Sequence, residues 1–351
     1  MGQGGVLSGC GRRYAFWQLC SRLQLCALAC FTAIALYMGV LLVSAPVSAQ
    51  DKGSLNPEPL PPLAKPDDPH IPARDAFARK AQPAAMEAHS VGFYSKGCLA
   101  GGVALPLTGR TWQVMRVSRN RNWGHPNLVR FLERLADQAP KTGWRGLLLG
   151  DMSQPRGGPM LNGHASHQVG LDADIWLTPM PDRELTREER EEMMSTVVVT
   201  EDGKDVDPKL WTPAHFALIK AAAVDPEVAR IFVNPAIKKA LCREAGQDRG
   251  WLHKVQPWWG HDYHFHVRLG CPPADTECKP QPPRPAVEGC GKELDHWFTG
   301  KVQHTSAHLG PSRPRAGPKL SELPAMCRQV LRAPDVDQVS GISNQRTRSN
   351  Q

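Results

Sequence analysis

The sequence predicts an α+β fold, with a mainly antiparallel central sheet flanked by helices and loops and stapled by disulfides. Helical and strand-like runs both occur between residues 86 and 300, but not in the strict β-α-β rhythm of a doubly wound sheet. Thr212-Pro213 and Asn234-Pro235 each place an N-cap residue before Pro at the first helical position, so helices open there. Six of the ten cysteines lie in this body and the tail behind it, an even number that suits a disulfide framework.

Taken in order, the first strand is expected over 112–117. A helix follows over 127–137, where Leu128, Phe131, Leu132 and Leu135 fall at helical spacing and Pro140 ends the run. Strands are expected over 146–150 and 171–177. The highly charged stretch 184–195 reads as a solvated surface helix. The Thr212-Pro213 helix should run to about Val224, the next strand over 230–233, and the Asn234-Pro235 helix to Gly246, a glycine suited to a helix end. A last strand is expected over 264–269.

Residues 1–49 read as a secretory signal peptide, with three arginines, an apolar run from Leu25 to Val43, and small residues Val47, Ser48 and Ala49 before Gln50. The apolar run is almost long enough to span a bilayer, so an uncleaved anchor is the competing reading. Residues 50–85 carry eight prolines and read as an extended linker. Residues 86–300 form the globular body. Residues 301–351 read as a loose Pro- and Arg-rich tail that Cys327 tethers. The formal charge of +8 comes from 42 Lys and Arg against 34 Asp and Glu, concentrated at the ends. A nearly neutral body argues against a nucleic-acid surface, and no stable membrane insertion is expected once the signal is cleaved.

The six cysteines are Cys98, Cys242, Cys271, Cys278, Cys290 and Cys327. Spacing leaves their connectivity open, although Cys271 and Cys278 bracket a short loop suited to local pairing. The absence of C-x-x-C argues against a thioredoxin-like site and a Cys-rich zinc module. No serine is followed three residues later by lysine, which excludes the acylating S-x-x-K serine.

Two histidine clusters carry the chemistry. One runs from His164 through His167 to Asp172 and Asp174, the other through His261, His264 and His266. On a strand, His264 and His266 share one face and Phe265 and Val267 the other; Asp172 and Asp174 likewise share a face. Two imidazoles and a carboxylate commonly hold a catalytic zinc with one position open, and a neighbouring free histidine can take a proton. No H-E-x-x-H is present, so the site is not a helix-borne zincin.

The pair His167-(six residues)-Asp174 and His264-Phe265-His266 resembles the signature of the lysostaphin, D-Ala-D-Ala peptidase and hedgehog-like zinc peptidases. Within that group the chain is similar to the penicillin-insensitive murein endopeptidases. The resemblance runs from about Val91 to His296, with Cys327 beyond it. It includes Gly97-Cys98, Gly124-His125-Pro126, Gly150-Asp151-Met152, the whole of 164–174, the run 230–237, and His266-Val267-Arg268-Leu269. It implies zinc held by His167, Asp174 and His266, with His264 as general base and His261 as a further active-site histidine that stabilises the oxyanion. It also implies disulfides Cys98–Cys327, Cys242–Cys290 and Cys271–Cys278. His164 matches a position that binds a second metal in the family. Asp202 and Asp205 are its possible partners, although Asp205 stands where the family has histidine.

The implied activity is periplasmic hydrolysis of the D-alanyl–meso-diaminopimelyl cross-link of peptidoglycan. A carboxypeptidase trimming terminal D-Ala would use the same ligands. A non-catalytic wall-binding zinc domain is the rival of another class, though structural zinc is normally closed by four protein ligands. Trp258 and Trp259 read as groove or core aromatics. Arg156 reads as a solvated loop residue or a contact for an acidic substrate group.

Overall fold

Seven strands form the main sheet of the computed structural model, in which residues 52–299 and 317–337 are described. The expected signal peptide lies outside the described residues, as does the tail apart from 317–337. Strands β1 (His89–Phe93) and β2 (Lys96–Ala100) make a separate hairpin, and β3 (Val103–Ala104) pairs with β6 (Trp123–Gly124). The main sheet contains β4 (Thr108–Gly109), β5 (Trp112–Val114), β7 (Leu147–Leu149), β8 (Asp172–Trp176), β9 (Val228–Val233), β10 (Val255–Pro257) and β11 (His264–Leu269), in the order β10-β9-β11-β8-β7-β5-β4.

The helices are α1 (Ala73–Phe77), α2 (Pro126–Gln138), α3 (Arg187–Glu192), α4 (Pro213–Val224), α5 (Pro235–Glu244), α6 (Lys292–Asp295) and α7 (Ala325–Arg332). The proline-led starts hold at α4 and α5, where the Asn234 side chain accepts from Ala236 N–H at 2.9 Å. Gly246, just past α5, has φ +59°, a conformation glycine adopts without steric cost.

The sheet is mixed rather than mainly antiparallel. The central pairs β9/β11, β11/β8 and β8/β7 are antiparallel, but β5/β7 and β9/β10 are parallel. Each parallel pair needs a crossover, and α2 and α5 supply them. The stretch 184–195 also differs from expectation. Its helix is only Arg187–Glu192, and Arg190 and Glu191 are buried. Arg190 donates to Leu107 O and Thr108 Oγ1, both at 2.6 Å, while Glu191 accepts from Ser118 N–H at 2.7 Å. Those partners lie far away in sequence and offset the desolvation of two charged groups.

The central antiparallel strands have two chemically different faces. Ala173, Ile175, Phe265 and Val267 join the main apolar core with Leu128, Phe131 and Leu132 of α2 and Leu218 and Ile219 of α4. Alternation places Asp172, Asp174, His264, His266 and Arg268 on the opposite face. All five are buried, which requires each to have specific partners.

Part of the proline-rich stretch is built into the fold. Ala73, Phe77 and Ala84 are buried in a second apolar cluster with Val91, Cys98, Cys327 and Val330. Backbone bridges Pro72–Lys319 and Ala84–Asp335 join that stretch to the tail. Arg156 is buried beneath the same segment, donating to Ala333 O at 2.8 Å, to Val330 O and to Asp335 Oδ1 at 2.6 Å. It is therefore neither a solvated loop residue nor a substrate contact.

The three disulfides are Cys98–Cys327, Cys242–Cys290 and Cys271–Cys278. The first links β2 to α7 across 229 residues of sequence. Replacing Cys98 and Cys327 together by alanine should lower unfolding stability by about 2–5 kcal/mol. Denaturant titration checks this, and an unchanged midpoint would show that the bridge contributes nothing.

Candidate metal centre

The two histidine clusters meet because β8 and β11 pair in register, with His266 opposite Asp174 and Arg268 opposite Asp172. His266 Nδ1 lies 3.2 Å from Asp174 Oδ1 and 3.2 Å from His167 Nε2. His167 Nε2 is 3.5 Å from Asp174 Oδ1. Donors about 2.0–2.2 Å from a tetrahedral centre stand roughly 3.3–3.6 Å from one another, so these three atoms fit one face of a zinc tetrahedron. Asp174 Oδ1 is buried without a hydrogen-bond partner among the described residues. A buried carboxylate oxygen ringed by imidazole nitrogens is costly unless a cation serves it.

His167 is held from outside the cluster. Its Nδ1 lies 2.7 Å from Met152 O, an atom that only accepts, so the ring proton sits on Nδ1 and the lone pair of Nε2 faces inward. Its φ of +66° is uncommon for a residue other than glycine. Such strain persists only where the surroundings over-determine it, as at functional sites.

His264 Nε2 is 3.6 Å from Asp174 Oδ1, while its buried Nδ1 has no hydrogen-bond partner among the described residues. Burial lowers its pKa to about 4 against the opposing pull of Asp174, so the ring is neutral near pH 7. His266 moves the other way. Burial would lower it, but Asp172 and Asp174 prevail and raise it. Burial would raise Asp174, yet the surrounding histidines, His264 foremost, hold it well below the usual carboxylate range.

His261 is at the site, its ring centroid 4.8 Å from that of His264. Its Nδ1 lies 2.9 Å from Trp259 O and so carries the proton of a neutral ring. Burial, with His264 and His266 adding to it, pushes its pKa well down. A neutral ring with its proton on Nδ1 has no N–H at Nε2 for an oxyanion. The expected oxyanion role therefore does not match the hydrogen bonding.

A second donor set overlaps the first. Ligand atoms of His164, His167 and Asp174 lie within 4.8 Å of one another. This set is looser than the one with His266, and His164 is partly engaged, with Nε2 3.0 Å from Asp151 Oδ2 and Nδ1 3.4 Å from Asp174 Oδ2. The tighter set is the better fit to a single ion. Asp202 and Asp205 are held elsewhere. Asp202 accepts from Thr200 Oγ1 at 2.7 Å, and Asp205 pairs with Arg243 at 2.9 Å and Lys239 at 3.1 Å. The acidic neighbour of His164 is instead Asp151, which Arg121 and Arg119 approach at 2.7 and 3.1 Å. Burial would raise the Asp151 pKa, but Arg121, His164 and Arg119 bring it well below the usual range. The sequence reading left Asp151 without a role because Arg119 and Arg121 lie 30 or more residues away.

Trp258 is 55% exposed at the rim, its ring 6.0 Å from that of Phe232, which packs 5.3 Å from the His266 ring. Trp259 turns onto Trp297 at 4.6 Å. Of the two, Trp258 is the one exposed beside the cluster.

The chain matches a family model described as penicillin-insensitive murein endopeptidase over residues 90–332. It is 47% identical over 251 residues to a penicillin-insensitive murein endopeptidase of Haemophilus influenzae, covering 71% of this chain and 84% of that protein. A protein of the same name from Klebsiella pneumoniae is 46% identical over 247 residues, covering 68% and 90%. One from Escherichia coli is 48% identical over 217 residues, covering 62% and 79%.

Proposed function

We propose, since this chain belongs to the penicillin-insensitive murein endopeptidase family, that it is an exported zinc metallopeptidase cutting the D-alanyl–meso-diaminopimelyl amide cross-link of peptidoglycan. The observation that carries the reading is the buried triad His167 Nε2, Asp174 Oδ1 and His266 Nδ1, with a neutral imidazole beside it. His167, Asp174 and His266 would hold the metal. Zinc bound there supplies a Lewis acid that polarises the amide carbonyl and lowers the pKa of water.

The protein's own groups do the proton work. His264 accepts a proton from the attacking water at Nε2, the nitrogen facing the cluster, and returns it to the leaving amine. His167 keeps its lone pair inward because Met152 O holds the opposite proton. Trp258 offers an exposed apolar face to the peptide stem. His261 excludes water and packs against His264. Three disulfides and the signal-like N-terminus support export to the periplasm, an oxidising compartment. No helix among the described residues is long and apolar enough to cross a membrane.

Purified protein incubated with cross-linked muropeptide dimers tests the reading. Conversion of dimer to monomer is expected. Release of D-Ala without that conversion would make the protein a carboxypeptidase, and binding without either product would make it a wall-binding module.

A further inference from the structure

We infer that Asp172, braced by Arg268, is a positioning residue that sets both histidines of the donor triad, an inference that rests on reading the triad as a metal site. Asp172 is fully buried and stands two residues before Asp174 on the same face of β8. Its Oδ2 accepts the backbone N–H of His167 at 3.0 Å. That bond pins the backbone in the left-handed conformation from which the ring reaches the cluster. Its Oδ1 lies 3.4 Å from His266 Nε2, which is buried and makes no hydrogen bond among the described residues, so this contact is electrostatic. Were a cation to take the lone pair at Nδ1, the nitrogen facing Asp174 and His167, the ring proton would sit on Nε2 and Asp172 would be the acceptor facing it.

Arg268 keeps the carboxylate in one orientation. Its Nε donates to Oδ1 at 2.7 Å and its Nη2 to Oδ2 at 3.0 Å, a two-pronged clasp. The guanidinium is itself fixed, 4.2 Å from the Tyr94 ring centre and 5.1 Å from that of Phe232, with Nη1 donating to Gln281 Oε1 at 3.0 Å. One carboxylate thus holds Arg268 and the His167 backbone by hydrogen bonds and sets its charge against the His266 ring. Asparagine cannot replace it, because its side-chain nitrogen would face one of these donors.

The experiment measures zinc affinity by chelator competition on parent and Asp172→Asn proteins, with folding checked by circular dichroism. A loss of about 10–100-fold is expected, the usual effect of removing such an outer partner. Affinity within about twofold of the parent would overturn the inference. A parent protein that takes up no zinc would instead overturn the metal-site reading itself. A second variant guards against a folding failure. Arg268→Lys keeps the charge but loses the two-pronged clasp on Asp172, so it should also weaken zinc binding. Affinity equal to the parent's in that variant would overturn the inference even if Asp172→Asn fails to fold.

Discussion

Replacing His266 by alanine is expected to remove metal and activity together. His266 Nδ1 is the only atom 3.2 Å from both other donors of the triad, so its loss opens the cluster at its centre. The rate should fall by roughly 10⁶-fold or more, the low end of typical enzymatic acceleration, because no other described group supplies the Lewis acid. Prolonged chelation of the parent should give the same loss, and added Zn²⁺ should restore the parent but not His266→Ala. Metal content by mass spectrometry and muropeptide cleavage are measured on the same preparations. A metal-free parent with full activity would end the metallopeptidase reading.

The two histidine clusters were legible because each follows a local pattern, while the choice of His167, Asp174 and His266 among them came from the family resemblance. His264 and His266 alternate with Phe265 and Val267, and β11 spans the expected residues. The His167-to-Asp174 spacing identified the other half once the family resemblance was seen. What stayed hidden depends on distant pairing. Strand β10 has three residues and includes Pro257, so nothing in its sequence announces a parallel partner for β9. The proline content of 50–85 reads as linker, yet Phe77 and Ala84 are buried against chain more than 200 residues away, near Cys327. Arg156 has one partner, Gln82 O, 74 residues before it and the others 174 to 179 residues onward. Asp172 was seen to share a face with Asp174, but its task follows only from the register that sets Arg268 opposite it. Buried charged groups take their meaning from such partners, and local pattern carries no record of them.

Replacing His264 by alanine should separate proton transfer from metal binding on one strand. His264 pairs across the sheet with Trp176, whereas His266 pairs with Asp174, so the two imidazoles enter the cluster at different heights. His264 Nε2 stands 3.6 Å from Asp174 Oδ1, farther than the three donors stand from one another. Its removal leaves the three close donors and their outer partners Met152 O and Asp172 in place. Zinc content should therefore stay near that of the parent. The depressed pKa keeps the parent ring unprotonated at neutral pH, ready to accept a proton, and alanine offers no substitute. The rate should fall by about 10²–10⁴-fold, the usual range for a lost general base. Loss of zinc from His264→Ala with retention in His266→Ala would exchange the two assignments. Retention of both zinc and full activity in His264→Ala would mean that another group moves the proton, and His261, whose ring lies 4.8 Å from that of His264, would be the next to replace.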